Sequence, residues 1–375
     1  MSTILLAALY GSVAAVGALG CAPHAAEEGS RFPEAGDPIE RPISFQSGSV
    51  RLVGNLTIPD TDGPFPAVVL ISGSGPQDRD GAIEGFFPGY RPSRDLAMGL
   101  ARHGIASLRY DERGVGESTG SHALASGSEF ANDAAAAFRR LRRIPDIDRE
   151  RVGFVGHSEG ASIAAMVAAR TADVAFIVAL AGPGVSGYEL GLAQSEHALR
   201  AAGLEGEAYE TAMAAVKEQY TLVRDGDWAK LESMVREVLP AQLESMSPEA
   251  RARLGTEEDI IDEELSRMKH WARFFVTHDP SDDWARVRAP SLILLGELDV
   301  QVSVDLNLAP LERALRRSAV DDWSVRVVPQ ANHLFQRAQT GAVEEYVTLP
   351  PHVSPDVIEA ISSWILARVR PRPFQ

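Results

Sequence analysis

Between residues 67 and 180 the sequence carries four short apolar runs, "AVVLI", "IASL", "VGFV" and "VAFIVAL". Uninterrupted apolar runs of this length suit strands buried on both faces, because a strand with one wet face alternates instead. The segments between them, "RPSRDLAMGLARHG" and "SEFANDAAAAFRRLRRI", have helical spacing, and "SEGASIAAMVAAR" repeats it after the third run. Gly104 closes the first helix as a C-cap. Strands and helices alternating through short loops predict an α/β fold, a mostly parallel central sheet flanked by helices. Upstream, "VRLVGNLTI" (50–58) alternates polar and apolar residues, and "ISFQSG" is placed to pair with it as a hairpin.

The alternation stops at about Val185. From there to Asp282 no buried strand is visible, and charged amphipathic helices such as "EGEAYETAMAAVKEQYTLVRDG" and "EEDIIDEELSRMKHWARFF" take over. It resumes with "APSLILLGELD", "LAPLERALRRS" and "WSVRVVPQANH", and a last helix, "SPDVIEAISSWILARV", is capped by Ser354. An insert of this length is too long for a connecting loop. Residues 185–285 are therefore read as a helical cap inserted before the penultimate strand. It is expected over the C-terminal edge of the sheet, where open α/β folds bind ligands. The core is expected in two parts, 43–184 and 286–375.

The N-terminal run "MSTILLAALYGSVAAVGALGC" is uncharged and apolar and ends at the chain's one cysteine, Cys21. Residues 1–21 read as an export signal. The ending "GALGC" resembles the lipobox of bacterial lipoproteins, which implies lipidation of Cys21 and membrane anchoring on the periplasmic or outer side. Residues 22–42 are polar and rich in Pro and Gly, and read as a flexible linker.

A formal net charge of -16 argues against a nucleic-acid partner, whose phosphates need a basic surface. A lone cysteine makes no internal disulfide, and no Cys/His cluster has zinc spacing, so no metal is expected. Neither a P-loop nor a dinucleotide fingerprint is present, so no cofactor is expected.

The third apolar run leads into "GHSEG" (Gly156 to Gly160), with Ser158 between two glycines where strand becomes helix. A sharp turn there lifts a serine oxygen above the sheet, and the glycines permit the close backbone approach this requires. The helix start behind it offers free N–H groups and a positive dipole end for a developing oxyanion. Ser158 is the candidate nucleophile.

"GHSEG", "RYDERGVGES", "GELD" and "NHLF" occur in the order found in α/β-hydrolases, and the sequence after residue 40 resembles that superfamily. Together with "ISGSGPQDRDG" it is similar to bacterial serine hydrolases with a helical insert. The resemblance implies the α/β-hydrolase fold, a Ser–His–Asp triad and hydrolysis of a small-molecule ester or other acyl substrate. The base is then a histidine after the last strand. His333 in "PQANHLFQ" fits best and His352 is second. Of Glu297 and Asp299 after the penultimate strand, Asp299 matches the position of the acid. The oxyanion hole falls to the backbone of Glu159 and of the loop "SGSGPQDRD", with Ser74 first and Gly75 next.

Other residues have ordinary readings. His157 is expected to point away from Ser158, and His122 to sit near surface helices or loops. Asp111 and Arg113 read as turn braces, and Asp78, Arg79 and Asp80 as an ion-pair brace of the Gly-rich loop. Phe86, Phe87 and Tyr90 wall a substrate pocket or pack in the core. Tyr188, Trp271, Phe274 and Phe275 line the cap side or pack a helix face. A peptidase, amidase or acyltransferase would use the same triad, and a non-catalytic binding protein is the reading from another class.

Overall fold

A computed structural model describes residues 37–83, 86–245 and 256–369. The export signal, Cys21 and most of the expected linker lie outside the described residues. These divide into two compact units, residues 123–129 with 185–279, and the remainder.

The larger unit is built on an eight-stranded sheet. Its strands are β1 (Ile39–Ser47), β2 (Val50–Ile58), β3 (Phe65–Ile71), β4 (Ala106–Tyr110), β5 (Ile147–His157), β6 (Ile177–Leu180), β7 (Ser291–Gly296) and β8 (Trp323–Val328). Their order is β1-β2-β4-β3-β5-β6-β7-β8. β1 and β2 form an antiparallel hairpin, β2 runs antiparallel to β4, and every later pairing is parallel. The fold class read from the sequence is observed. The first strand starts at Ile39, inside the segment read as linker. Pro42 within it is tolerated because β1 is an edge strand, where a missing N–H leaves no ladder bond unmade.

Strand order reverses between β3 and β5. The chain leaves β3 toward β4 on one side and returns as β5 on the other. Loops leaving the carboxyl ends of β3 and β5 therefore diverge and open a crevice. The helices of this unit include α1 (Pro92–Arg102), α2 (Gly127–Leu141, from Phe130 onward), α3 (Glu159–Arg170), α9 (Pro280–Trp284), α10 (Val304–Arg317) and α11 (Pro355–Val369). α1 and α11 pack closely: a Cβ on Gly99 would stand 2.4 Å from Ile358 Cγ2.

Asp95 on α1 accepts a hydrogen bond from the Val353 N–H. Burial raises its pKa to about 6, against the pull of that bond. The folded state thus holds this proton more tightly than the unfolded chain, whose aspartates titrate near pH ~4. Its stabilising contribution is present below that value and is lost as pH rises through about 6. Asp95→Asn is expected to raise stability by about 1–2 kcal/mol at alkaline pH and to leave it unchanged in acid. Urea titrations at both pH values check this.

The helical unit contains α4 (Gly187–Ala201), α5 (Gly206–Asp225), α6 (Trp228–Ser245), α7 (Glu257–Arg267) and α8 (Arg273–Thr277), with a π-turn at Met268–Ala272. It has its own core, around Val216, Tyr220, Leu231, Val235, Ile261 and Leu265. Capping boxes start α4 at Ser186 and Glu189 and α7 at Thr256 and Asp259. Gly226 ends α5 in the left-handed conformation.

Candidate active site

Ser158 stands between β5 and α3 with φ 54° and ψ -117°. A non-glycine residue rarely adopts this backbone, and such strain collects at functional sites. The flanking glycines are sterically required. A Cβ on Gly156 would lie 2.2 Å from the Gly160 carbonyl oxygen, and one on Gly160 would lie 2.3 Å from that of Ile71. Both obstacles are backbone, so neither can step aside. Gly160→Ala is expected to cost about 2–3 kcal/mol by overpacking, readable as a lower denaturation midpoint.

The loop after β3 runs along this turn. A Cβ on Gly73 would stand 3.3 Å from the Ser158 Cβ and 3.5 Å from Gln77 Nε2. Gln77 Nε2 donates to the Ser74 carbonyl at 3.2 Å, and Gly75 has φ +100°. Ser74 and Gly75 thus belong to the loop beside Ser158, and Glu159 is the first residue of α3. Within this loop Gly73, one residue before the expected Ser74, leaves too little room beside Ser158 for a side chain to pass without tight contact.

Asp299 and His333 come from the loops after β7 and β8. Asp299 Oδ2 accepts from His333 Nδ1 at 2.8 Å. Its other oxygen accepts from the Gln301 and Val302 N–H groups, both at 2.8 Å. Burial opposes the charge on Asp299, but His333 and the two backbone donors outweigh it and lower the pKa. The carboxylate is therefore ionised at neutral pH. It fixes the proton of neutral His333 on Nδ1 and leaves Nε2 free to accept one.

His157 faces the loop that carries His333. Its Nε2 is 2.8 Å from the His333 carbonyl oxygen, and the two rings are 4.8 Å apart. The carbonyl only accepts, so His157 carries its proton on Nε2. Burial, with the nearby His333, lowers its pKa to about 4, so it stays neutral. The residue next to Ser158 thereby anchors the loop that carries His333.

A profile of the X-Pro dipeptidyl-peptidase (S15) family matches residues 47–325. The chain belongs to this family. It is also similar to the esterase EstD of Thermotoga maritima, 27% identical over 329 residues, spanning 87% of this chain and 68% of that protein. An esterase of Pyrococcus furiosus superposes with a TM-score of 0.53 at 15% identity, covering 88% of this chain and 91% of the other. A Pseudomonas aeruginosa protein gives the same score at 15% identity, covering 90% and 96%. Those two likenesses show the fold alone. The S15-family protein is a serine hydrolase of the α/β-hydrolase superfamily.

Around this site, Tyr346 and Asn332 carried no sequence signal. Tyr346 is buried, accepts from Gln301 Nε2 at 3.2 Å, and lies against the Asp299 charge and the His333 backbone N–H. Its ring is 5.7 Å from that of Phe87, which in turn is 6.5 Å from Phe86. The Asn332 side chain accepts from the Leu334 and Gln336 N–H groups and so shapes the turn holding His333. Tyr90 is buried and donates to the Leu334 carbonyl at 2.6 Å, so it ties the same loop from within the core.

The remaining expected residues fall elsewhere. Tyr188 belongs to the helical unit, where it packs edge-on to Tyr220 at 6.0 Å with Arg224 over its ring. In that unit Trp271 stacks on Phe275, and Phe274 on His278. His352 lines a separate cavity of about 560 Å³ with Arg337 and Asp356. Arg79 binds Asp111 through its backbone N–H and its guanidinium, and Asp80 pairs with buried Arg109. Asp78 accepts from the N–H groups of Asp80 and Ala82. Arg113 pairs with Asp133. These are braces of the two loops. Among the described residues no cluster of metal-ligating side chains is present.

Proposed function

We propose that this S15-family hydrolase cleaves carboxylic esters through Ser158, His333 and Asp299. The observation that carries the reading is the buried Asp299–His333 hydrogen bond, delivered by two loops beside a strained serine turn. In the reaction, His333 Nε2 takes the Ser158 hydroxyl proton as the oxygen attacks the acyl carbon. The carbonyl oxygen becomes an oxyanion held by the N–H of Glu159 and an N–H of the Ser74–Gly75 loop. The tetrahedral adduct collapses, the ester bond breaks, and imidazolium His333 protonates the departing alcohol. Water, deprotonated by the same nitrogen, then hydrolyses the acyl-enzyme and restores Ser158. In this reading Phe86, Phe87 and Tyr346, whose rings lie in series, wall an acyl or alcohol pocket.

The family's name favours a second reading, hydrolysis of aminoacyl-prolyl amides by the same residues. A panel of short p-nitrophenyl esters beside X-Pro p-nitroanilides, preceded by fluorophosphonate labelling, decides between them. Faster turnover of the anilides would replace the ester reading. We further propose export and lipidation at Cys21, tested by membrane fractionation of wild type against Cys21→Ser. Equal distribution of the two forms ends that proposal.

A further inference from the structure

The Gly-rich loop must present its N–H groups in one orientation for an oxyanion to rest on it. Gly75 makes this harder, because a residue with φ +100° and no Cβ lets the adjoining peptides rotate at low cost. Something outside the loop must choose the orientation. A chain of polar contacts from the loop after β4 reaches it. Gln77 is the junction: its side chain donates to the Ser74 carbonyl at 3.2 Å. Its N–H donates to Glu112 Oε2 at 3.2 Å, and its carbonyl accepts from the Glu112 N–H at 3.2 Å. Glu112 Oε2 is in turn 3.2 Å from His122 Nε2. Both side chains of that pair are largely buried, 13% and 16% exposed.

His122 is itself held in place. Its ring packs on Phe130 at 5.1 Å, and its backbone lies so near Gly114 that a Cβ there would stand 2.8 Å from its nitrogen. The charged groups facing it are Glu112 and Glu159, and the Gly75 carbonyl lies against the ring. The sequence placed His122 at the surface, and the structure instead puts it behind the loop flanking Ser158.

We propose that Gln77, Glu112 and His122 form a positioning relay that fixes the peptide between Ser74 and Gly75, with His122 acting as the imidazolium. The peptide group is planar, so its C=O and N–H point in opposite directions. Pinning the Ser74 carbonyl with Gln77 therefore aims the Gly75 N–H to the other side. Glu112 holds Gln77 at its backbone, and cationic His122 holds Glu112 and the Gly75 carbonyl. His122 also places a positive charge beside Glu159, whose N–H is the second candidate donor.

The His122 titration agrees with this arrangement, while burial of Glu112 works against its charge. Desolvation pulls the His122 pKa down, but Glu112, Glu159 and the Gly75 carbonyl outweigh it and leave it raised. Burial raises the Glu112 pKa, more than His122 lowers it. The pair is charged only where Glu112 is ionised while His122 keeps its proton. It is lost in acid as Glu112 gains its proton, and in base as pH rises through the raised His122 value.

The inference rests on ester hydrolysis at Ser158, and its test separates the two. Wild type, His122→Gln, His122→Ala and Glu112→Gln are compared by melting, fluorophosphonate labelling, and kcat and KM for a short p-nitrophenyl ester across pH. Wild type should label at Ser158 and show kcat falling on the alkaline side. His122→Gln, which keeps a donor but does not titrate, should lose that alkaline limb. His122→Ala and Glu112→Gln should lower kcat by about 10–100-fold with KM little changed, as for a donor misplaced by a fraction of an ångström to one ångström. Native-like variants with wild-type kcat, or an alkaline limb retained in His122→Gln, overturn the relay while leaving the hydrolase reading intact. A wild type that neither labels nor hydrolyses esters overturns both. Should His122→Ala not fold, the Gln variants at His122 and Glu112 still give both readouts.

Discussion

Replacing Ser158 with alanine is expected to lower ester turnover by about a million-fold, the scale seen when a triad serine is removed elsewhere. The fold should be unaffected. Ser158 is held through its backbone, its N–H donating to the Leu180 carbonyl at 2.8 Å and its carbonyl accepting from Ala161 at 3.0 Å. Alanine keeps both bonds and the same unfavourable φ. Glycine at this position is a sharper test. It should be equally inactive, yet more stable by about 1 kcal/mol, because a φ of 54° with ψ -117° costs glycine little. Inactive Ser158→Gly with a raised melting temperature would show that the strain at this turn serves catalysis. Retained turnover in either variant would remove Ser158 from the mechanism.

That strain was legible in the sequence because its cause is local. Two glycines two residues from a serine, between a buried strand and a helix, leave a sharp turn as the arrangement in which all three fit. The strands β3 to β6 were legible for a similar reason. Burial on both faces writes itself as a continuous apolar run, whereas β8 is partly exposed along its length and was placed mainly by its neighbours. The Asp299 and His333 positions followed from resemblance rather than from any pattern of their own. The supporting residues gave no signal at all. His122 sits among serines and glycines, like any solvated loop residue, and what buries it is Phe130 and a turn after β4. Tyr346 reaches Gln301 across 45 positions, and contacts at such separations leave no periodicity. The same holds for His157, whose partner His333 lies 176 residues away. Local sterics and burial are written along the chain, while polar contacts between loops are written only in space.

The second large effect is expected from Asp299→Asn, a change of one atom. Asparagine fits the same space, and its oxygen is needed where Oδ1 accepts from the Gln301 and Val302 N–H groups. That requirement turns its NH2 toward His333. An NH2 donates, so His333 Nδ1 must now accept, and the imidazole proton moves to Nε2. Nε2, the nitrogen the proposed mechanism uses as base, then holds a proton and cannot take another. A drop in kcat of about ten-thousand-fold is expected from the wrong tautomer, as for the equivalent change in other serine hydrolases. KM should change far less, because the acyl and alcohol contacts remain. Nitrogen NMR of the His333 ring would show the proton shift directly, independently of turnover. If kcat falls little and the proton stays on Nδ1, Asp299 is a structural neighbour of His333 and the triad reading fails at its third member.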